Sequence, residues 1–266
     1  MKTRRCPTKL LVCIKQVCET ETSFLIDETG RWIRLEEPSA FRMNRPDEYA
    51  VEEAVRISET IADSSIEVIS VGPARVSAAI RRALGMGAAH GIHIVTPEDG
   101  YLSPFVTASW IASFARNREY DLILTGVMSE DEMQGQVGSM IAELLGMPCA
   151  TSTVSERLLP ETGTVRVERE IEGGLRDALE LRLPAVLTIQ TGINEPRYPS
   201  LSKLLRANKY ELETIDSRSI GDPEPPEQVI RVSYPEHTRA GLVLNGTGQE
   251  KAAHLLRILR ERSLIQ

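Results

Sequence analysis

The chain has 266 residues, of which 41% are hydrophobic, and a formal net charge of −7. That is enough apolar material for a sizeable core, arranged as one large domain with appendages or as two small domains. The acidic balance excludes a general nucleic-acid binder, which needs surplus cations to neutralise phosphates, and no apolar run approaches the roughly 20 residues of a membrane helix.

Residues 1–9 carry Lys2, Arg4, Arg5 and Lys9, but the apolar stretch that follows, Leu10 to Ile14, is too short for a signal peptide. A cytoplasmic protein is therefore expected. The cysteines Cys6, Cys13, Cys18 and Cys149 show no CxxC spacing, so the pattern does not suggest a zinc site. Cys13 and Cys149 sit in apolar runs as small buried side chains, and Cys6 and Cys18 read as free thiols.

In chain order, Lys9 to Val17 is a β-branched apolar run expected to be the first central strand. Phe24 to Asp27 and Arg31 to Leu35 flank Glu28-Thr29-Gly30 and predict a hairpin. In Asn44-Arg45-Pro46-Asp47-Glu48, Asn44 or Arg45 suits a helix cap, Pro46 suits a first turn, and the acids complement the helix dipole. Ala50, Val51, Ala54, Val55, Ser58 and Ile61 form the buried stripe of that helix. Ile66 to Val71, Gly91 to Val95 and Tyr120 to Gly126 are further strands. Helices over 75–86 and 103–116 alternate with them. Such alternation over about 140 residues means an α/β layered fold with a mostly parallel sheet.

Tyr120 to Pro148 is the stretch around which the chain is organised. A buried strand leads through a polar loop with glycines into a helix whose apolar face carries Val137, Ile141, Leu144 and Leu145. In an open parallel sheet such a loop lies at the carboxyl edge, where ligands bind. The helix there offers unpaired backbone N–H groups to a phosphate. Ser129, Gln134, Gly135, Gln136, Gly138 and Ser139 supply the small and polar residues of a cradle. Glu130, Asp131 and Glu132 suit a ribose better than a naked triphosphate. GxxxxGK[ST] and GxGxxG are both missing, which argues against a P-loop enzyme or an ordinary dinucleotide dehydrogenase. The 44–47 segment is expected at the same edge, closing over adenine or ribose, although a plain helix cap explains it equally.

After Pro148 the strand-like segments Cys149 to Leu158, Thr164 to Glu172 and Arg176 to Leu183 predict an antiparallel extension, turning at Glu172-Gly173-Gly174. Ala185 to Gln190 returns to the centre. From Asn194 the core pattern fades into a stiff, proline-containing segment that presents Leu201, then an arm with three prolines between Gly221 and Glu227. A final helix, Gln249 to Leu264, has an apolar stripe in need of a partner. No Ser–His–Asp order is apparent. His90 and His93 read as structural, and they, His237 and His254 lie far from plausible nucleophiles.

Several segments taken together resemble the β-subunit of electron-transfer flavoprotein. They are LVCIKQV (11–17), MNRPDEYAVEEAVR (43–56), ISVGP (69–73), IRRALGMGA (80–88), DLILTG…GQVG…AELLGMP (121–148), VEREIEGG (167–174), LPAVLT (183–188) and NEPRYPSL (194–201). The resemblance runs from about residue 9 to 210. It implies an adenine-nucleotide-hydrolase-like, Rossmann-like three-layer domain with an antiparallel extension and a C-terminal arm. The implied divisions are a nucleotide-binding domain over 1–193, a recognition loop and arm over 194–240, and a helix over 241–266 that packs on a partner subunit.

The resemblance further implies an electron carrier, without turnover of its own, paired with an α-subunit that holds FAD. It would serve flavin-dependent, acyl-CoA-type dehydrogenases of fatty-acid β-oxidation and pass electrons to an acceptor such as a quinone oxidoreductase. Its own nucleotide is AMP, or a second FAD in an electron-bifurcating form that oxidises NADH. The implied nucleotide contacts are Cys13, Asn44, Arg45, Pro46, Asp47, Val71 and Gly126, followed by the loop. That loop comprises Met128, Ser129, Glu130, Asp131, Glu132, Met133, Gln134, Gly135, Gln136, Val137, Gly138 and Ser139. The implied partner contacts are Arg197, Tyr198, Leu201 and Arg206, with Leu201 as anchor and Arg206 where ordinary members have lysine. Glu170 is the carboxylate that pairs with an arginine of the mobile flavin domain. Two readings outside this family are a stand-alone adenylyl-transferring enzyme and a nucleotide-sensing stress-type protein. The first needs a serine-glycine pyrophosphate loop near the first strand, which CIKQVCET does not offer. The length and the arm disfavour the second.

Overall fold

The computed structural model describes residues 7–19, 21–36, 40–97, 100–235 and 241–265. Cys6, His237 and the basic residues Lys2, Arg4 and Arg5 lie outside the described residues. The chain divides into two compact units, within Met1–Val232 and within Ser233–Gln266.

The first unit begins with β1 (Thr8–Cys13), β2 (Gln16–Cys18), β3 (Phe24–Ile26), β4 (Ile33–Leu35) and β5 (Phe41–Met43). The expected first strand splits in two. The Ile14 N–H still bonds Ile69 O at 2.9 Å, but the Lys15 N–H turns to the Asp47 carboxylate at 2.7 Å. The chain thus leaves the sheet, and β2 pairs with β5 while β3 and β4 form the expected hairpin.

Next come α1 (Arg45–Thr60), β6 (Ser64–Gly72), α2 (Ser77–Met86), β7 (His90–Val95), α3 (Pro104–Ala115), β8 (Leu122–Gly126) and α4 (Val137–Leu145). Ser103 caps α3 by accepting from the N–H groups of Phe105 and Val106. Then follow β9 (Cys149–Leu159), β10 (Thr164–Ile171), β11 (Leu175–Arg182) and β12 (Ala185–Ile189). After these come α5 (Leu201–Ala207), β13 (Glu213–Asp216) and α6 (Ser217–Ile220).

Among the described residues these strands build a nine-stranded sheet in the order β11-β10-β9-β12-β8-β1-β6-β7-β13. Every pairing from β9 to β13 is parallel, and β10 pairs antiparallel with β9 and β11. The fold is therefore the expected mostly parallel α/β sheet with an antiparallel extension.

Parallel strands covered on both faces read as continuous apolar runs, and β1 shows the consequence. Leu10 and Val12 join the cluster with α1 and α2, whereas Leu11 and Cys13 join the cluster with α3 and α4. Strand order grows from β1 through β6 and β7 on one side and from β1 through β8 and β12 on the other. The reversal lies between β1 and β8, which is where an open α/β sheet leaves a crevice at its carboxyl edge.

The segment after Asn194 departs from the expected coreless arm. It forms α5, packed on α2, and adds β13 parallel to β7 at the sheet edge. Gly85 of α2 permits this contact, because a Cβ there would stand 2.9 Å from the Leu204 side chain and 3.3 Å from Pro199. The Arg81 guanidinium closes the end of α5 by donating to the carbonyls of Ala207, Asn208 and Tyr210 at 2.8, 2.9 and 3.0 Å. The division into compact units accordingly falls near residue 232 rather than 194.

In the second unit α7 (Gly248–Glu261) starts with a reciprocal capping box between Thr247 and Glu250, and none of its residues is buried. Among the described residues no helix is long and apolar enough to cross a membrane.

Candidate functional site

At the carboxyl edge, Asp47 ties the two strands that flank the crevice. One carboxylate oxygen accepts from Lys15 N at 2.7 Å, just past β1, and the other from Gly126 N at 3.0 Å, at the end of β8. The side chain is 5% exposed. Burial pushes its pKa up to about 7, while the N–H donors of Lys15 and Gly126, the Asn44 side chain and the Lys15 charge pull it down. Gly126 is required by this tie, because any Cβ would run into the Asp47 side chain and the Pro46–Asp47 backbone.

Asn44 occupies the N-cap position of α1, as expected, but its side chain makes no cap hydrogen bond. It bridges the loop instead: its amide nitrogen donates to Met128 O at 2.9 Å, and its oxygen accepts from Glu130 N at 3.0 Å. Arg45 and Pro46 open α1, and the Arg45 N–H donates to Glu130 Oε2 at 3.1 Å. Glu130 also pairs with Arg42 at 2.8 Å, while the Lys15 ammonium meets Asp131 and Glu132 at 2.9 and 3.1 Å. The three acids thus share two of the protein's own cations, and they fix the loop to β5, α1 and the end of β1.

The loop then turns. Met133 adopts a left-handed backbone with φ 55°, its N–H bonds Ser129 O at 2.8 Å, and Ser129 N bonds Gln134 O at 3.0 Å. A Cβ on Gly135 would lie 2.7 Å from Val127 O, so only glycine fits there. Gly138 is buried beneath Thr125 and Thr188, each 2.7 Å from where a Cβ would stand, and this lets α4 start hard against the sheet.

Gln136 sits at the N-cap of α4 with no side-chain cap hydrogen bond, and the first turn carries no acid. The first N–H groups of the helix, from Val137 to Ser139, therefore keep their capacity to bind an anion. Among the described residues Gln134 Oε1 is buried without a donor. Its side chain also meets Tyr101, whose ring packs against Trp32 at 5.0 Å. An orphaned buried acceptor beside an uncapped helix start fits a ligand that brings both an anion and a hydrogen-bond donor, as a nucleotide does.

Cys13 and Val71 lie at the ends of β1 and β6 on the α3–α4 side, and burial drives the Cys13 thiol far above its ordinary pKa. They can line the crevice but cannot act as charged groups. Cys13, Asn44 to Asp47, Val71, Gly126 and the 128–139 loop all fall at this one edge. Lys15, Arg42 and Tyr101 complete the arrangement and were not singled out from the sequence. The signal for Lys15 was available as a cation at the end of the first strand, opposite three consecutive acids.

The other candidate residues are separate from this crevice. Arg197 is not a free cation. Its guanidinium forms a two-point pair with buried Glu52 at 2.8 and 2.9 Å and reaches Glu59 at 2.7 Å, while its N–H also donates to Glu52 at 3.0 Å. These bonds raise its pKa further and make it the clamp that seats the 194–200 segment on α1. Beyond the clamp, Tyr198 and Leu201 stand 81% and 72% exposed, with Arg82 over the Tyr198 ring at 5.3 Å. Arg206 is exposed on α5. Glu170 is exposed on β10 and accepts from Gln190 Nε2 at 3.2 Å.

Comparison with known proteins gives one consistent result. The family model for the electron transfer flavoprotein domain matches residues 32–219. The electron transfer flavoprotein subunit beta of Bos taurus is 36% identical over 244 residues, covering 90% of this chain and 93% of that protein. The subunit of the same name from Bacillus subtilis is 32% identical over 263 residues, covering 96% and 99%. That of Methylophilus methylotrophus is 30% identical over 262 residues, covering 95% and 98%.

Proposed function

Because the chain belongs to the electron transfer flavoprotein subunit beta family, we propose that it is the nucleotide-holding and partner-docking half of a heterodimeric electron-transfer flavoprotein. The observation that carries the nucleotide is the uncapped start of α4 beside the orphaned Gln134 acceptor. In this reading the N–H groups of residues 137–139 take the phosphate. Gln134 Oε1 accepts from a ribose hydroxyl or the adenine amino group. Asn44 and Asp47 keep the 128–139 loop and the ends of β1 and β8 in register around it. The nucleotide is AMP or a second FAD.

A bound flavin supplies the electron-accepting and electron-donating chemistry. The chain's contribution is to hold a nucleotide, support an FAD-bearing α-subunit and expose a docking surface to flavin-dependent dehydrogenases. Electrons then pass to an acceptor such as a quinone oxidoreductase. Leu201 and Tyr198 form the docking anchor, Arg197 seats them, and Glu170 pairs with an arginine of the flavin-bearing domain. The 194–207 segment serves as the recognition loop, and the helix within 241–266 buries its leucines on the α-subunit. The expected compartment is the cytoplasm.

Co-expression with an α-subunit is expected to give a yellow heterodimer. A chain that stays monomeric and colourless with every α-subunit offered overturns the proposal.

A further inference from the structure

A carboxyl pair, Glu53 buried and Glu156 half-buried, links the antiparallel extension to the segment that carries the exposed apolar residues. Glu53 of α1 is 5% exposed, and the Glu156 carboxyl of β9 lies within hydrogen-bonding reach of it. Among the described residues Glu156 Oε2 is buried with no donor. Asn194, the first residue of the docking segment, donates from its amide nitrogen to Glu53 Oε2 at 2.7 Å and to Tyr49 O at 3.0 Å. Among the described residues its amide oxygen is buried without a donor, so these two bonds hold the side chain.

Two carboxylates side by side and largely shielded from water repel, and one proton between them removes the repulsion and supplies the missing donor. We propose that a proton held on Glu156 and donated to Glu53 pins Asn194 and the segment behind it to α1, and that loss of this proton above neutral pH loosens the segment. The surroundings favour the protonated form. Among the described residues Arg56, on α1, is the cation paired with Glu53, at 3.5 Å and half exposed, while Arg157 and Arg166 line the open groove beside Glu156. The register partners of Glu156 across the extension, Val167 and then Leu179, are apolar. The Leu158 N–H bonds the Glu156 carboxyl and favours its charged form. Burial first, and Glu53 second, push the Glu156 pKa up to about 8.

In the unfolded chain Glu156 loses its proton near the ordinary glutamate value, while the folded chain keeps it until about 8. Within that window only the folded state holds the proton. Stability therefore falls as pH rises through the window, and the loss is complete above it.

The docking role of this segment rests on the proposed function. The proton linkage does not, and its test needs only this chain. Amide hydrogen exchange of the full chain is measured at pH 6.5 and 9.0 and expressed as protection factors, with β1 amides as internal reference. Protection across residues 194–204 is expected to drop at least fivefold at the higher pH, including the Arg197 N–H that bonds Glu52. The isosteric variant Glu156→Gln, which carries a donor at every pH, is expected to change less than twofold. Glu53→Gln removes the repulsion from the other side, behaves in the same way, and carries the test if Glu156→Gln does not fold. Equal pH dependence in wild type and variants overturns the proposal, as does a flat wild-type profile. Recovery of protection at pH 9.0 on adding Mg2+ or Ca2+ also overturns it, since a cation rather than a proton would then complete the pair.

Discussion

The 128–139 loop and the 194–207 segment are both anchored to α1, yet they turn opposite chemistries to solvent. The loop is polar, and its three acids are matched by Lys15, Arg42 and backbone N–H groups. What it leaves unmatched is small and inward: an uncapped helix start and the buried Gln134 acceptor. The segment is clamped at its start by Glu52 and at its end by Arg81, and it leaves Tyr198, Leu201 and Leu205 81%, 72% and 57% exposed. Directional donors at a helix start beside one buried acceptor suit a ligand that stays bound. A rigid apolar display suits a partner that arrives and leaves, because little entropy is lost on docking.

The two regions can be separated by mutation. The largest effect is expected from Asp47→Asn. A carboxylate that accepts two backbone N–H bonds becomes an amide that can accept only one of them, at a cost of about 3 kcal/mol in denaturant unfolding. Nucleotide content should fall with it, while the exposure of Leu201 stays as it is. Next is Glu52→Gln, which strips the buried charge from Arg197. Because the guanidinium is 32% exposed, the expected loss is about 2–3 kcal/mol, below the range for a wholly buried pair. Here docking should weaken and nucleotide content should not change.

Leu201→Ala removes only the anchor. Docking to a dehydrogenase is expected to weaken by about 2 kcal/mol, as for a central interface leucine, with unfolding unchanged within about 0.5 kcal/mol. Titration of electron transfer against dehydrogenase concentration checks this, and unchanged kinetics would assign docking elsewhere. The smallest effect sharpens the loop. Gln136→Asp introduces a cap at the N-terminus of α4 and opposes a phosphate there. Nucleotide affinity should drop about tenfold, while the nucleotide-free protein gains about 0.5 kcal/mol from the cap. A gain in both would place the phosphate away from α4.

The sequence made much of this architecture legible, for identifiable reasons. Strands β1, β6, β7, β8 and β12 are covered on both faces and so read as largely apolar runs, with polar residues such as Glu67 and His93 the exceptions. The start of α1 was marked by Asn44, Pro46 and two acids, and Asn44 does hold the N-cap position. The role of the Asn44 side chain was not legible, because a residue suited to capping is equally suited to bridging a loop 84 residues away. Strand β13 went unseen because its four residues, Glu-Thr-Ile-Asp, carry a single apolar side chain at a sheet edge. Arg197 was read as a partner contact, yet its carboxylates lie on α1, at a sequence separation of 145 for Glu52. No local pattern encodes such a pair. Glycines were visible as permissive points, but the close approaches that require Gly126 and Gly138 appear only once α1 and the Thr125 and Thr188 side chains are placed.

In the proposed heterodimer the crevice between β1 and β8 holds an adenine nucleotide. The most direct measurement is acid release and chromatographic counting of the nucleotides that co-purify with the complex formed by this chain and an α-subunit. One FAD with the α-subunit and one further adenine nucleotide, AMP or FAD, per copy of this chain are expected, the latter selectively reduced in Gln136→Asp. A complex that carries its full flavin complement but no second nucleotide would contradict this.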